Sequence, residues 1–329
     1  MGNYKTEHGF EIKHRSSDPP SPIAGEIWYN STTQTIKCAP QISAWASGGN
    51  LNTTRAGATG MGATNTAAVI TCGNLAPGTD TNATEEYNGS AWTNSTNFPS
   101  TPPGQGQGNG PSTAGITAGD GANASTILWD GSSWTAAEDM PTTFYTGGMA
   151  GTQSGGTVAG GIGAGAPHNE SYDYDGTDWT AGGNLNVARY ATAMSGTTSA
   201  SALIMGGSLN PPHYDSVESY DGSSWTAGPA LTAARVYGNA GKTSPQTDSL
   251  FFGGATAPGG TYSTTTMVFD GSSWANTSSL STGRSSMGGA GSQVNALCAG
   301  GKTSNAVANA VNSTEEWTSA ATTRSVDTT

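Results

Sequence analysis

The sequence predicts an all-β fold: a β-propeller of six small antiparallel sheets, the sixth completed by the two ends of the chain. Three observations carry that expectation. An aromatic–Asx–Gly phrase returns five times, an apolar run ending in glycine precedes each copy, and each chain end holds half of a sixth copy.

The phrase reads Tyr87-Asn88-Gly89-Ser90-Ala91-Trp92 and then Trp129-Asp130-Gly131-Ser132-Ser133-Trp134. It returns as Tyr174-Asp175-Gly176-Thr177-Asp178-Trp179, Tyr220-Asp221-Gly222-Ser223-Ser224-Trp225 and Phe269-Asp270-Gly271-Ser272-Ser273-Trp274. Its tryptophans are 42, 45, 46 and 49 residues apart, a period typical of propeller blades and solenoid units. Asn-Gly and Asp-Gly are strong hairpin signals, here expected as type I′ turns with positive φ at both central residues. The flanking aromatics then face each other on paired strands and supply most of the buried area.

Upstream lie Val69-Ile70-Thr71-Cys72-Gly73, Thr157-Val158-Ala159-Gly160-Gly161, Leu203-Ile204-Met205-Gly206-Gly207, Leu250-Phe251-Phe252-Gly253-Gly254 and Leu297-Cys298-Ala299-Gly300-Gly301, with a weaker copy at Gly115-Ile116-Thr117-Ala118-Gly119. Glycine at a strand end lets the backbone bend or be approached closely. Arg55, Arg189, Arg235 and Arg284 each fall ten residues after a tryptophan; Pro102 and Phe144 hold that place in the other two repeats. An arginine repeated in phase reads as a structural hydrogen-bond donor. Together these features resemble the Kelch repeat family over roughly residues 42–317, and the resemblance implies four-stranded blades around a central channel.

The ends set the repeat count. Trp45-Ala46-Ser47-Gly48-Gly49-Asn50-Leu51-Asn52 matches Trp179-Thr180-Ala181-Gly182-Gly183-Asn184-Leu185-Asn186, but no aromatic–Asp–Gly precedes it. Thr314-Glu315-Glu316-Trp317 matches Thr84-Glu85-Glu86-Tyr87, but no turn and second tryptophan follow. The two halves are expected to pair and so protect edges that would otherwise fray.

Composition narrows the function. Net charge is −12, and beyond residue 37 the chain carries 7 bases against 19 acids, a surface that repels nucleic acid. No apolar run approaches the ~20 residues of a membrane span, and the amino terminus lacks the apolar stretch of a signal peptide. Cys38, Cys72 and Cys298 show no metal-type spacing and read as small buried hydrophobes. The loose myristoylation pattern at Gly2 and Thr6 is too permissive to weigh.

Residues 1–41 stand outside the repeat, and residues 318–329 read as a short tail. The first segment balances four bases with four acids and passes through Asp18-Pro19-Pro20-Ser21-Pro22, prolines that suit a stiff arm. Residues Gly25 to Lys37 then alternate as strand, turn and strand. The stretch Pro22 to Lys37 resembles a short segment found near the ends of tail-fibre and other virion proteins of tailed phages. That resemblance implies a virion component, a tail fibre, receptor-binding or decoration protein on the particle surface. Other virion proteins would be its partners, with a host glycan or protein as receptor, and the arm would anchor it through Trp28 and Tyr29. The alternative is a secreted or cell-surface bacterial adhesin that binds carbohydrate or protein.

No catalytic set, cofactor or metal site is expected, and the chain reads as a non-enzyme. The Ser-x-Asp-x-Gly-x-x-Trp turns of sialidase-type propellers are mis-spaced at Ser171-Tyr172-Asp173-Tyr174-Asp175-Gly176. The Tyr, Cys and His ligands of copper-radical oxidases find no match, and no Gly-x-Ser-x-Gly elbow stands beside a plausible histidine. One pair of loops is a candidate ligand site. Pro167-His168-Asn169-Glu170 and Pro212-His213-Tyr214-Asp215 occupy equivalent places in adjacent repeats, and His168, Glu170, His213, Tyr214 and Asp215 could together take a glycan or a cation.

Overall fold

The computed structural model describes residues 12–23, 25–76, 79–100, 106–119, 123–256, 260–321 and 324–326. Among them the chain is all-β, with seven four-stranded sheets and two short ribbons. It divides into two compact units, Trp45–Trp317 and a smaller one of Met1–Ala44 with Thr318–Thr329. The carboxy-terminal residues, expected as a separate tail, therefore group with the amino-terminal segment. Arg324–Ser325 adds a strand beside Thr35–Cys38, pairing Cys38 with Arg324 and Lys37 with Ser325 and covering an otherwise open edge.

In the smaller unit, Ile27–Asn30 and Thr35–Cys38 form the expected strand–turn–strand, and Lys13–Arg15 joins Ile27–Asn30 in parallel. Trp28 is fully buried. Its indole donates to Asp18 Oδ1 at 3.1 Å, and the Asn30 amide donates to the same oxygen at 2.8 Å.

The larger unit holds six four-stranded sheets. The first comprises Thr59–Thr64, Ala67–Thr71, Thr84–Tyr87 and Trp92–Ser95. The next four begin at Gln107–Asn109, Gly148–Thr152, Ala193–Thr198 and Asn239–Ala240 and repeat that order. The sixth runs Gly288–Gly291, Asn295–Ala299, Thr314–Ala321 and then Gln41–Ser47, so both ends of the chain contribute to it.

Each phrase tryptophan lies directly opposite its aromatic partner in the strand register, as at Tyr220↔Trp225 and Phe269↔Trp274. Ring centroids within these five pairs are 4.7 to 5.0 Å apart. The sixth pair is Trp45 with Trp317, at 5.5 Å, built from opposite ends of the sequence. Such pairs add about 0.5–1.5 kcal/mol beyond their burial, which matters in strands otherwise made of Gly, Ala, Ser and Thr.

The turns differ from the expected type I′. Only the glycines, Gly89, Gly131, Gly176, Gly222 and Gly271, take positive φ, between 89° and 104°. That is the II′ pattern, positive at the first central position alone. The reason lies in the preceding Asx side chain. Asp221 Oδ1 accepts the amides of Ser223 and Ser224 at 2.9 and 2.8 Å, and Asn88, Asp130, Asp175 and Asp270 do the same. Side-chain capping of this kind holds the turn without a second left-handed residue.

The phased arginines are structural. Arg55 Nη2 meets Glu85 Oε1 at 2.6 Å, while Nη1 donates to the carbonyls of Cys72 at 3.0 Å and Ala83 at 2.6 Å. Arg189 pairs with Glu218 and Arg284 with Glu315 in the same manner, and all three guanidinium groups are buried. The glutamates sit second in the third strand of their sheets. Where Met267 takes that place, Arg235 keeps only Ser263 Oγ at 3.2 Å and the Ala234 carbonyl at 2.9 Å. Where Phe144 replaces the arginine, Tyr172 replaces the glutamate and the rings stack at 6.1 Å. A buried charge without its partner is costly; Phe144 and Tyr172 change together and avoid that cost, while Arg235 bears it. Pro102 lies outside the described residues.

Sheets are joined by the tryptophan indoles. Trp179 donates to Thr126 Oγ1, Trp225 to Ser171 Oγ, Trp45 to Thr266 Oγ1 and Trp92 to Thr314 Oγ1, at 2.8 to 3.3 Å. Each acceptor opens the third strand of the adjacent sheet. In the fourth sheet that residue is Val217, and the Trp274 indole N–H is buried with no partner among the described residues. Val217→Thr should therefore raise stability by about 0.5–1.5 kcal/mol, the net worth of one hydrogen bond. Urea unfolding measures it, and a loss of stability would show that the hydroxyl does not reach the indole.

The turn carboxylates set the acid limit. Amides and hydroxyls hold Asp221 and Asp270 down at about 2, and they hold Asp175 below its ordinary value. Depressed folded values favour the fold above the unfolded value of about 4, and that contribution is lost as pH falls from about 4 to 2. Asp221→Asn with Asp270→Asn, which keeps the acceptor as Asn88 does, should unfold with a shallower acid dependence than the wild type in that window. Identical melting-temperature profiles would refute the assignment.

Candidate functional site

Twelve residues after a tryptophan, each described repeat places a left-handed residue just before its first strand. These are Gly57, Thr146, Ala191, Tyr237 and Ser286, with φ between 55° and 67°. Such backbone is strained for a residue with a side chain, and hydrogen bonds hold it. Gly57 N–H donates to the Ser286 carbonyl at 2.7 Å, Ser286 to Tyr237 at 2.9 Å, Tyr237 to Ala191 at 2.9 Å and Ala191 to Thr146 at 2.7 Å.

A half-open cavity of ≈ 70 Å³ lies among these residues, lined by strand residues of four sheets and by the segments just before the first strands of the fourth and sixth. Its polar lining includes Thr59, Gln107, Thr192, Tyr237, Asn239 and Lys242. Two residues along the strand from Gln107, Asn109 Nδ2 donates to the carbonyls of Lys242 at 3.0 Å, Met149 at 3.3 Å and Gly196 at 3.4 Å, tying four sheets together. Burial pulls the Lys242 ammonium down to about 8 and pushes the Tyr237 phenol up to about 12.

The two histidine loops engage their own surroundings. His168 Nδ1 meets Glu170 Oε2 at 2.9 Å, Nε2 lies 3.2 Å from the Gly163 carbonyl, and the ring stacks on Phe144 at 5.9 Å. Burial works against ionisation of Glu170, but backbone amides and His168 outweigh it and hold the carboxyl below its ordinary value. His213 Nδ1 meets Ser208 Oγ at 2.9 Å, and the Arg189 guanidinium lies over the Tyr214 ring, 5.5 Å from its centroid. The Asp215 carbonyl accepts the Leu231 amide at 2.8 Å. Among the described residues, no hydrogen bond or ring contact joins His168 to His213, and no cluster of three or more His, Cys, Asp or Glu is placed to hold a metal ion.

In the smaller unit the two proposed anchor aromatics part company. Strand alternation sends Trp28 and Asn30 to one face, where both are buried, and Ile27 and Tyr29 to the other. Tyr29 is half-buried, with its ring 5.1 Å from that of His14. The register places Ile36 opposite Tyr29 and Ile12 on the same side as His14. Ile12, Ile27, Ile36 and Val326 are 44%, 52%, 37% and 43% exposed, and Val326 donates its amide to the Ile36 carbonyl at 2.9 Å. One face of this small sheet is thus an open apolar surface.

Comparison with known proteins gives fold alone. No family model matches the chain, and no curated protein matches it in sequence. Among solved structures it resembles that of YjhT, with a TM-score of 0.67 at 16% identity over 83% of this chain and 99% of that one. In all, 261 solved chains share the likeness, so the architecture is widespread and assigns no activity by itself.

The cavity leaves no mark in the repeat pattern. Lys242 has no counterpart in the other repeats, and Gln107 sits in the most degraded one. A base out of phase with the arginines was the signal available.

The contacts of His168 make it a loop support. His168→Ala should cost about 1–2 kcal/mol, from two modest hydrogen bonds and a ring contact, whereas His213→Ala, with one bond, should cost less. Equal urea midpoints for the two variants and the wild type would remove that role.

Proposed function

We propose that the six sheets are blades of a Kelch-like propeller closed by the chain ends, and that the protein is a non-enzymatic virion component of a tailed phage. It would serve as a tail fibre, receptor-binding or decoration protein. Closure is supported by links from the sixth sheet to the first. Gly301 N–H donates to the Arg55 carbonyl at 2.9 Å, as Gly161, Gly207 and Gly254 do to Arg189, Arg235 and Arg284.

The observation that carries the functional reading is the apolar face of the small unit. Five of the seven exposed large hydrophobic residues among those described belong to this unit, and four of them, Ile12, Ile27, Ile36 and Val326, form that face. A contiguous apolar patch on an otherwise polar chain marks an interaction surface. The segment that carries most of it is also the one near charge neutrality, whereas the rest of the chain holds all the net negative charge. An anchor through Ile27, Tyr29 and Ile36 would leave the acidic propeller free for a receptor. Trp28, being buried, would shape the anchor from behind rather than contact the partner.

The test is incorporation into particles. Tagged wild-type protein supplied during phage infection should co-purify with virions, and Ile27→Glu with Ile36→Glu should be lost from them with its unfolding midpoint unchanged. Wild-type protein absent from particles but present on the bacterial surface or in the medium would overturn the virion reading in favour of a bacterial adhesin.

A further inference from the structure

We infer that the central cavity of the larger unit is a binding site for a small monocarboxylate, held by the Lys242 ammonium with the Gln107 amide and Thr192 hydroxyl as flanking donors. The inference holds whichever particle or surface carries the protein.

Among the described residues the lining of the cavity includes one basic residue, Lys242. Among the described residues none of its lining is Asp or Glu, although the chain has 23 acidic residues. Lys242 makes no ion pair among the described residues. Three other cations inside this unit, Arg55, Arg189 and Arg284, each take a glutamate, whereas Arg235 is held by Ser263 Oγ and the Ala234 carbonyl. Lys242 is partly buried, a cation shielded from water without a partner is unfavourable, and that shielding lowers its affinity for its proton.

Two neutral groups point to the same ligand. Gln107 is 3% exposed, yet among the described residues neither its amide nitrogen nor its carbonyl oxygen has a partner, and the Thr192 hydroxyl is buried and unpaired there as well. Buried polar groups are nearly always satisfied, so unsatisfied ones beside a cavity and a lone ammonium describe a site awaiting acceptors. A carboxylate presents two acceptor oxygens and a single negative charge. It would neutralise Lys242 and accept from Gln107 or Thr192 with its second oxygen.

Size and charge select within the oxyanions. One water needs roughly 10–15 Å³ of such space, so ≈ 70 Å³ admits a group of about five to seven heavy atoms. A phosphate or sulfate dianion would leave one charge unpaired in a cavity with one cation. The rim residues supply rigidity, since Gly57, Ser286, Tyr237 and Ala191 each donate to the carbonyl of the next rim residue.

Acetate and lactate, with phosphate, sulfate, acetamide and glucose as controls, would be titrated into the full chain by calorimetry. Acetate or lactate should bind saturably near pH 7. Affinity should weaken as pH rises through about 8, because the free lysine then loses its proton. Lys242→Met should fold and lose about ten- to hundredfold in affinity, the worth of a charged hydrogen bond, and Gln107→Leu should lose less. If Lys242→Met fails to fold, nitrogen NMR of the wild-type lysines decides: the Lys242 amine should titrate at higher pH when acetate is present. No saturable response, tighter binding of phosphate or glucose than of acetate, a Lys242→Met variant that binds normally, or a Lys242 titration indifferent to acetate would each overturn the inference.

Discussion

A four-stranded sheet of short strands rich in Gly, Ala, Ser and Thr cannot cover its own faces, and the rest of the larger unit follows from that constraint. Each sheet relies on its neighbours for burial, and the contacts that meet this need repeat in phase. An indole reaches a hydroxyl in the adjacent sheet. The second glycine of each Gly-Gly pair reaches the carbonyl of an arginine. The bulky side chains are few, so they sit where one ring serves two elements. Trp45 packs on both Phe252 and Trp317, and Phe98 and Trp129 both meet Trp134.

Because the repeats are copies within one chain, they act as internal substitutions. Arginine and glutamate occur together in three sheets, and aromatic replaces both in a fourth. Where only one partner is lost, at Met267, the surviving Arg235 is left with an unpaired Nε. The same holds for the indoles: one valine in place of a hydroxyl residue orphans one N–H. The fold tolerates single lapses because the other repeats carry the same contact, as expected when stability is spread over nearest-neighbour terms.

Much of this architecture was legible because it is periodic. The hairpins, their aromatic pairs, the arginine phase and the pairing of the Trp45 and Trp317 strands all follow from spacing. The turn type did not, because Asp-Gly permits either primed turn and the choice rests on where the Asp side chain bonds. Nor did the glutamate partners, whose place in the third strand is clear only once the arginine is seen beside it. Trp28 reads as an anchor contact because it falls outside the repeat. In the folded unit, alternation sends it inward and leaves Ile27, Tyr29 and Ile36 outward. The cavity was least legible, since its key residues occur once each and periodicity is blind to them.

The left-handed rim has a consequence of another kind. Five of its positions carry five different residues, Gly, Thr, Ala, Tyr and Ser, in the same backbone conformation. Their amides and carbonyls do the joining, and their side chains are not needed for it. The mouth of the cavity is therefore a palette: its chemistry can be rewritten position by position while the frame that holds it stays the same. Such separation of frame from surface lets one scaffold follow a changing binding target without first giving up its fold.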